Sequence, residues 1–306
     1  MASSADFKSG IAAEGLATIF GTGLANGDAS APNTTYPNKL AGAEVFVCDA
    51  PFQNVDLCVA AGLLYAAPNQ INFQVPPSGH PSETTPVGLY TNGARHIVVR
   101  VGGVLDQDAA VRLPFTTTVL PAAPAIFFMG TDCLIDPDYP LPPHVQRDTS
   151  CGLSSKPSDF NRADRGAITD QKGNLLTSSN PAKLGQYYTI WMTGLGIFAN
   201  GTPEVQLGMA LTDIPMFGYQ STYEQIYPSY MGPSGFPGVY QINFQLPMNI
   251  VSGAGWDYGR RWPCGDYRWE LSIDMQSKSI HSPLVQIPVL IKKGDVSAID
   301  RVCNDR

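Results

Sequence analysis

Charge is scarce in this sequence: Asp, Glu, Lys and Arg make up 15% of it, against the usual quarter. What charge there is sums to −7, which argues against nucleic acid and anionic membrane surfaces, because both demand a basic face. Blocks of like charge are absent, so there is no acidic or basic tail. No run of eighteen apolar residues occurs, so nothing reads as a membrane-spanning helix. Helical stripes preceded by a cap are missing too. CxxC is absent, and no Cys is followed by His at zinc-finger spacing, which speaks against a structural zinc site. The four histidines, His80, His96, His144 and His281, form neither HxH nor HExxH,. There is no GxSxG; the nearest string, GPSGFPG, lacks the spacing of a nucleophile elbow,. GTGLANG is followed by no helix, so it is no dinucleotide loop. The opening MASSADFKSG has no charged-then-apolar layout of a signal peptide. It suits either a mature secreted sequence behind an initiator Met or a cytosolic chain.

What the sequence has is turns and short apolar strands. Gly (30) and Pro (26) are frequent among 306 residues, alongside 13 Tyr and 13 Phe. Hydrophobic residues at 43% suffice for two ordinary cores,. QINFQVP at Gln70–Pro76 returns as QINFQLP at Gln241–Pro247, 171 positions later. TIFGTGL at Thr18 returns as TIWMTGL at Thr189 with the same offset, and AEVFV at Ala43 matches PEVQL at Pro203 with an offset of 160. Anchors in register signify an internal duplication. The second copy has lost about eleven residues in one loop and regained them before QINFQLP. In QINFQVP the apolar Ile71, Phe73 and Val75 alternate with Asn72 and Gln74, the period of a half-buried strand. The Gly of TGL is expected at a turn with positive φ. The expected fold is therefore all-β: two tandem Ig-like β-sandwich domains related by duplication, each of roughly seven short strands. The first would span residues 1–121 and the second 122–306. Three private additions are expected: a Cys-closed loop at 131–161, an aromatic insertion at 248–269, and a tail after Lys292.

LATIFGTGLANG, LLYAAPNQINFQVP and PAAPAIF, followed by the second TGLG and VYQINFQLP, carry a resemblance. In that order they resemble the uncharacterised, secreted C-terminal domain family of the Solibacter type in soil Acidobacteria. TIFGTGL alone is similar to the IPT/TIG immunoglobulin-like fold. The resemblance runs from about Asp6 to Ile291 and implies secretion and an Ig-like tandem. It implies no catalytic residue.

Six cysteines, Cys48, Cys58, Cys133, Cys151, Cys264 and Cys303, suggest disulfides and an oxidising compartment,. Fifteen pairings are available. Proximity favours Cys48–Cys58, Cys133–Cys151 and Cys264–Cys303; the alternative is buried free thiols in a cytosolic protein.

Thirteen aromatic residues crowd the stretch from Phe217 to Trp269, and three of the four Trp lie in its last fourteen positions. Trp256, Tyr258, Arg260, Trp262 and Trp269 are the candidate ligand contacts, since ring faces stack on the apolar C–H faces of sugars. The same rings could equally form a small core under the insertion. Asp132, Asp136 and Asp138 could hold Ca²⁺, but their spacing fits no EF-hand and acidic surface loops are common. No cofactor is therefore expected. Asp213, Glu224 and Asp257, or Glu204 with Glu224, could form a glycosidase pair, or simply be solvated. The sequons at Asn33 and Asn200 mark surface loops. The expected function is a secreted, non-catalytic binding or structural module for extracellular polysaccharide or cell-surface material. The alternatives are a carboxylate-dependent extracellular hydrolase and a self-assembling cell-surface protein.

Overall fold

The computed structural model describes residues 1–5, 10–32, 34–49, 55–77, 93–102, 104–105, 115–120, 122–133, 162–177, 179–196, 205–211, 223–246, 265–275, 280–281 and 285–291. Apart from one 3-10 turn at Val55–Leu57, the regular structure among them is all strand. The first eleven strands are β1 (Ala2–Ser3), β2 (Ile11–Ala12), β3 (Leu16–Phe20), β4 (Ala29–Ser30), β5 (Ala43–Asp49), β6 (Val59–Ala60), β7 (Gly62–Ala67), β8 (Gln70–Gln74), β9 (Gly93–Val101), β10 (Val104–Leu105) and β11 (Phe115–Leu120). They form two sheets, ordered β1-β3-β8-β7-β4 and β2-β11-β9-β5-β6, with β10 on β9.

The two sheets face each other across one core. Ala17, Leu63, Ile71 and Phe73 come from the first sheet, and Val45, Val47, Ile97 and Val119 from the second. This is the expected sandwich, but built from more strands than seven. The extra ones, such as β1, β2, β4 and β6, are two residues long, too short to leave a periodic trace.

The remaining strands are β12 (Ala125–Ile126), β13 (Phe128–Cys133), β14 (Arg162–Gly166), β15 (Ile168–Asp170), β16 (Ala182–Lys183), β17 (Tyr187–Thr193), β18 (Val205–Leu211) and β19 (Tyr223–Ile226). β20 (Tyr230–Pro233), β21 (Tyr240–Gln245), β22 (Gly265–Met275), β23 (Ile280–His281) and β24 (Val285–Ile291) complete the set. Their sheets run β12-β17-β21-β20 with β15 on β17, and β13-β14-β24-β22-β18-β19 with β16 on β24 and β23 on β22. Strands up to Leu120 pair only among themselves, as do those from Ala125 on.

The pairing order of the first half recurs in the second. β3 meets β8 with Thr18 opposite Asn72 and Ile19 opposite Ile71; β17 meets β21 with Thr189 opposite Asn243 and Ile190 opposite Ile242. Thr18 Oγ1 donates to Asn72 Oδ1 at 3.1 Å and Thr189 Oγ1 to Asn243 Oδ1 at 2.9 Å. The parallel contact of β2 with β11 recurs as β16 with β24. Glu14 and Gly185, at the 171 offset, both have positive φ. Each turn is held alike: Gln74 Nε2 donates to the Glu14 carbonyl and Gln245 Nε2 to that of Gly185. The written-twice strand therefore has a task for its polar residues as well as its buried ones. Ile71, Phe73, Ile242 and Phe244 are fully buried, while Asn and Gln tie the neighbouring strand and turn.

The glycines of TGL behave as expected, with φ of +69° at Gly23 and +74° at Gly194. The Cys48–Cys58 disulfide is present, joining β5 to the start of β6 over a Cα separation of 4.4 Å. Cys133 ends β13, and Thr131–Cys133 pair with Arg162–Asp164 across the mouth of the proposed Cys-closed loop. Cys151, Cys264, Cys303 and the tail after Lys292 lie outside the described residues.

One expected boundary needs correcting. The aromatic insertion does not extend to residue 269, because Gly265–Met275 is strand β22, paired on both sides by β18 and β24. The signal was there: Tyr267, Trp269, Leu271, Ile273 and Met275 alternate strictly with polar residues,.

Candidate functional site

Of the sequence-derived ligand contacts, Trp256, Tyr258, Arg260 and Trp262 lie outside the described residues. Trp269 occupies a central strand position opposite Leu211 and Ile287. Among the carboxylates, Glu204, Asp213 and Asp257 also lie outside, as do Asp136 and Asp138. Glu224 sits in β19 opposite Met209, and Asp132 in β13 opposite Ala163. No group of three metal-ligating side chains occurs among the described residues.

The aromatic stretch divides where it is described. Tyr227, Tyr230 and Phe236 are exposed, at 71%, 42% and 55%. They make up half of the large exposed hydrophobic side chains among the described residues. Tyr240, only a few positions on, is half-buried. The exposed three straddle β20, the last strand of its sheet.

Local chemistry fixes their presentation. Tyr230 Oη donates to the Pro233 carbonyl at 3.1 Å, which folds the ring back over Gly232; a Cβ at Gly232 would lie 2.7 Å from that hydroxyl. The turn after β20 closes on itself. Val239 N donates to the Phe236 carbonyl, and Ser234 N and Oγ both donate to the Val239 carbonyl at 3.0 Å. Gly235 and Gly238 supply φ of +92° and +74°, a region costly for any side chain with a Cβ. Phe236 stands at the tip of this turn.

The base of the turn is docked on the first half of the chain. Tyr36 Oη donates to the Pro237 carbonyl at 3.2 Å. The Thr193 hydroxyl, 1% exposed, donates to the Gly238 carbonyl at 2.6 Å and accepts from Leu16 N at 2.7 Å. One hydroxyl thereby bridges β3, β17 and the turn. The approach is close enough that a Cβ on Gly238 would strike Leu16 and the Glu14 carbonyl. Burial and the nearby Glu14 push the Tyr240 phenol up to about 12, so it stays neutral. Burial raises the Glu14 carboxyl as well. Sequence reasoning missed this seam because its members lie up to 201 positions apart and share no pattern. Its effect is to tie the aromatic turn to the first half of the chain.

No protein-family profile matches the chain, and no curated protein matches it. Among solved structures it is similar to a chain described as BspA_C_WT, at 10% identity over 90% of this chain and 91% of that one, with a TM-score of 0.18. A likeness that low carries no argument about fold or function.

Proposed function

We propose that the chain is a secreted, non-catalytic binding or structural module that recognises extracellular polysaccharide or cell-surface material through aromatic rings of its second half. One observation carries this reading: Tyr227, Tyr230 and Phe236 are exposed before, within and after the edge strand β20, and Phe236 stands on a turn anchored by the seam. Rings left in water beside an anchored turn are ready to stack against the apolar faces of sugars, and anchoring limits the ordering lost on binding. Trp256, Tyr258, Arg260 and Trp262 would extend that surface. The Cys48–Cys58 disulfide supports an oxidising compartment,. The recurring strand order supports two Ig-like, IPT/TIG-related sandwiches born of duplication, in keeping with the resemblance to the Solibacter-type family.

The test is co-sedimentation with insoluble polysaccharides and cell walls, assaying the supernatants for released sugar. Binding without release is expected, falling on the order of tenfold for each ring removed in Tyr227→Ala and Phe236→Ala. Release of soluble sugar would overturn the non-catalytic reading and direct attention to Asp213, Glu224 and Asp257. Unchanged binding by the ring variants would remove this edge from the site.

A further inference from the structure

The strands β7 and β20 hold the same place in their sheets, each next to the QINFQ strand. Tyr65 lies opposite Asn72, and Tyr230 opposite Asn243. In the first half β4 covers the far side of β7, with Ser30 opposite Tyr65 and Ala29 opposite Ala66. In the second half no strand lies beyond β20 among the described residues. Burial records the difference. Ala66, opposite Ala29, and the adjoining Ala67 are buried, whereas their counterparts Met231 and Gly232 are only partly buried and Tyr230 is exposed.

Chain length accords with an edge that no described strand covers. Residues 21–42, between β3 and β5, carry β4; the corresponding stretch between β17 and β18 is residues 194–204, half as long. The eleven residues missing from the second copy fall in the segment that supplies the covering strand. Among the described residues this leaves an outer row of backbone donors and acceptors with no strand beside it, which readily templates another strand.

We propose that this edge pairs with β20 of a second copy of the chain, antiparallel about a two-fold axis. Charge favours that occupant. Each copy carries −7, yet no charged residue occurs from Gln225 to Trp256, so two copies meet at β20 without bringing like charges together. A two-fold contact needs only one self-complementary surface and closes at the dimer. Pro233 has no N–H to donate, which confines the new ladder to Tyr230–Gly232 and keeps the contact in the small, transient class. Pairing uses backbone rather than rings, so it would set the two aromatic edges side by side. The inference stands independently of what those rings bind.

Sedimentation equilibrium of the full chain tests it directly. The expected result is a reversible rise from 32.8 kDa toward twice that mass with increasing concentration. Met231→Lys, which sets one charge of the same sign on each facing strand, should leave the chain monomeric throughout that range. A chimera with residues 25–42 in place of 197–204 restores a covering strand and should also be monomeric. It decides the matter if Met231→Lys fails to fold. A wild-type chain that stays monomeric overturns the proposal and points instead to a strand from a different protein. Dimers that survive in the folded chimera also overturn it, as does growth without limit beyond the dimer.

Discussion

The two halves of the chain share a central strand, its register, its side-chain hydrogen bonds and the turn that precedes it, yet they are stabilised differently. In the first half β5 and β6 are joined by the Cys48–Cys58 bond. Aligning Val47 with Leu207, which face Val59 and Ile226 respectively, places Gly208 and Gln225 at the corresponding sites. There the ladder simply runs on, through Met209 opposite Glu224 and Ala210 opposite Tyr223. Glycines differ in the same way. At Gly23 an added Cβ would meet nothing within 4 Å, while at Gly194 it would run into the Ala123 carbonyl of the segment linking the halves. The repeated letters thus mark a shared strand arrangement, and the differences mark where each half meets a neighbour.

The largest effect expected from breaking this comparison is at Gly194. Gly23→Ala should cost about 1–2 kcal/mol, the penalty for a Cβ at positive φ. Gly194→Ala adds a backbone collision and should cost roughly 3–5 kcal/mol. All four tryptophans, Trp191, Trp256, Trp262 and Trp269, lie in the second half, so tryptophan fluorescence during denaturation reads the cost at Gly194, and far-UV circular dichroism reads the cost at Gly23. Equal costs would mean that the Ala123 approach is not what requires the glycine.

Next comes the disulfide. Changing Cys48 and Cys58 together to Ala removes a cross-link with a sequence separation of 10 and should cost about 2–4 kcal/mol. The two sulfurs sit in a small cluster with Phe46, Val55 and Val98, away from the seam. The loss should therefore lower the midpoint seen by far-UV circular dichroism while the tryptophan-detected midpoint holds. A parallel shift of both signals would show that the halves unfold as one unit.

How much of this was legible depends on the range of the interaction. Strand alternation is local, so Ile71, Phe73, Ile242 and Phe244 could be assigned to the core from the letters. The Cys48–Cys58 pair and the turning glycines of TGL are local too. β20 was not legible, because Tyr-Met-Gly-Pro has poor strand propensity and is held by β21 rather than by its own sequence,. The seam was invisible for a different reason: Leu16 and Thr193 meet across 177 positions, and nothing in either neighbourhood announces the other. Of the candidate site, the aromatic density of the 217–269 stretch was legible. Which rings face water was not, since Tyr230 and Tyr240 look alike in sequence and differ in place, Tyr230 on the outermost strand β20 and Tyr240 on the inner strand β21 near Glu14.

The smallest difference gives the finest test of equivalence. Thr18 and Thr189 each donate a hydroxyl to the Asn opposite, and Val would keep the shape of either side chain while removing that bond. Their surroundings are not equal. Thr18 is fully buried and also shares a 2.8 Å hydrogen bond with Ser4 Oγ, whereas Thr189 is partly exposed. Removing the buried Thr18 hydroxyl takes one bond from Ser4 and one of two from Asn72 Oδ1, which keeps its bond from Gln70 Nε2 at 2.8 Å, so Thr18→Val should cost about 1–2 kcal/mol. At Thr189 water can take over part of the role, and Thr189→Val should cost about 0.5–1 kcal/mol. Urea denaturation of the two variants reads the difference as a shift in midpoint at constant slope. A larger cost at Thr189 would mean that the shared register hides unequal packing around it, and that the second half leans on its Thr–Asn pair more than the first.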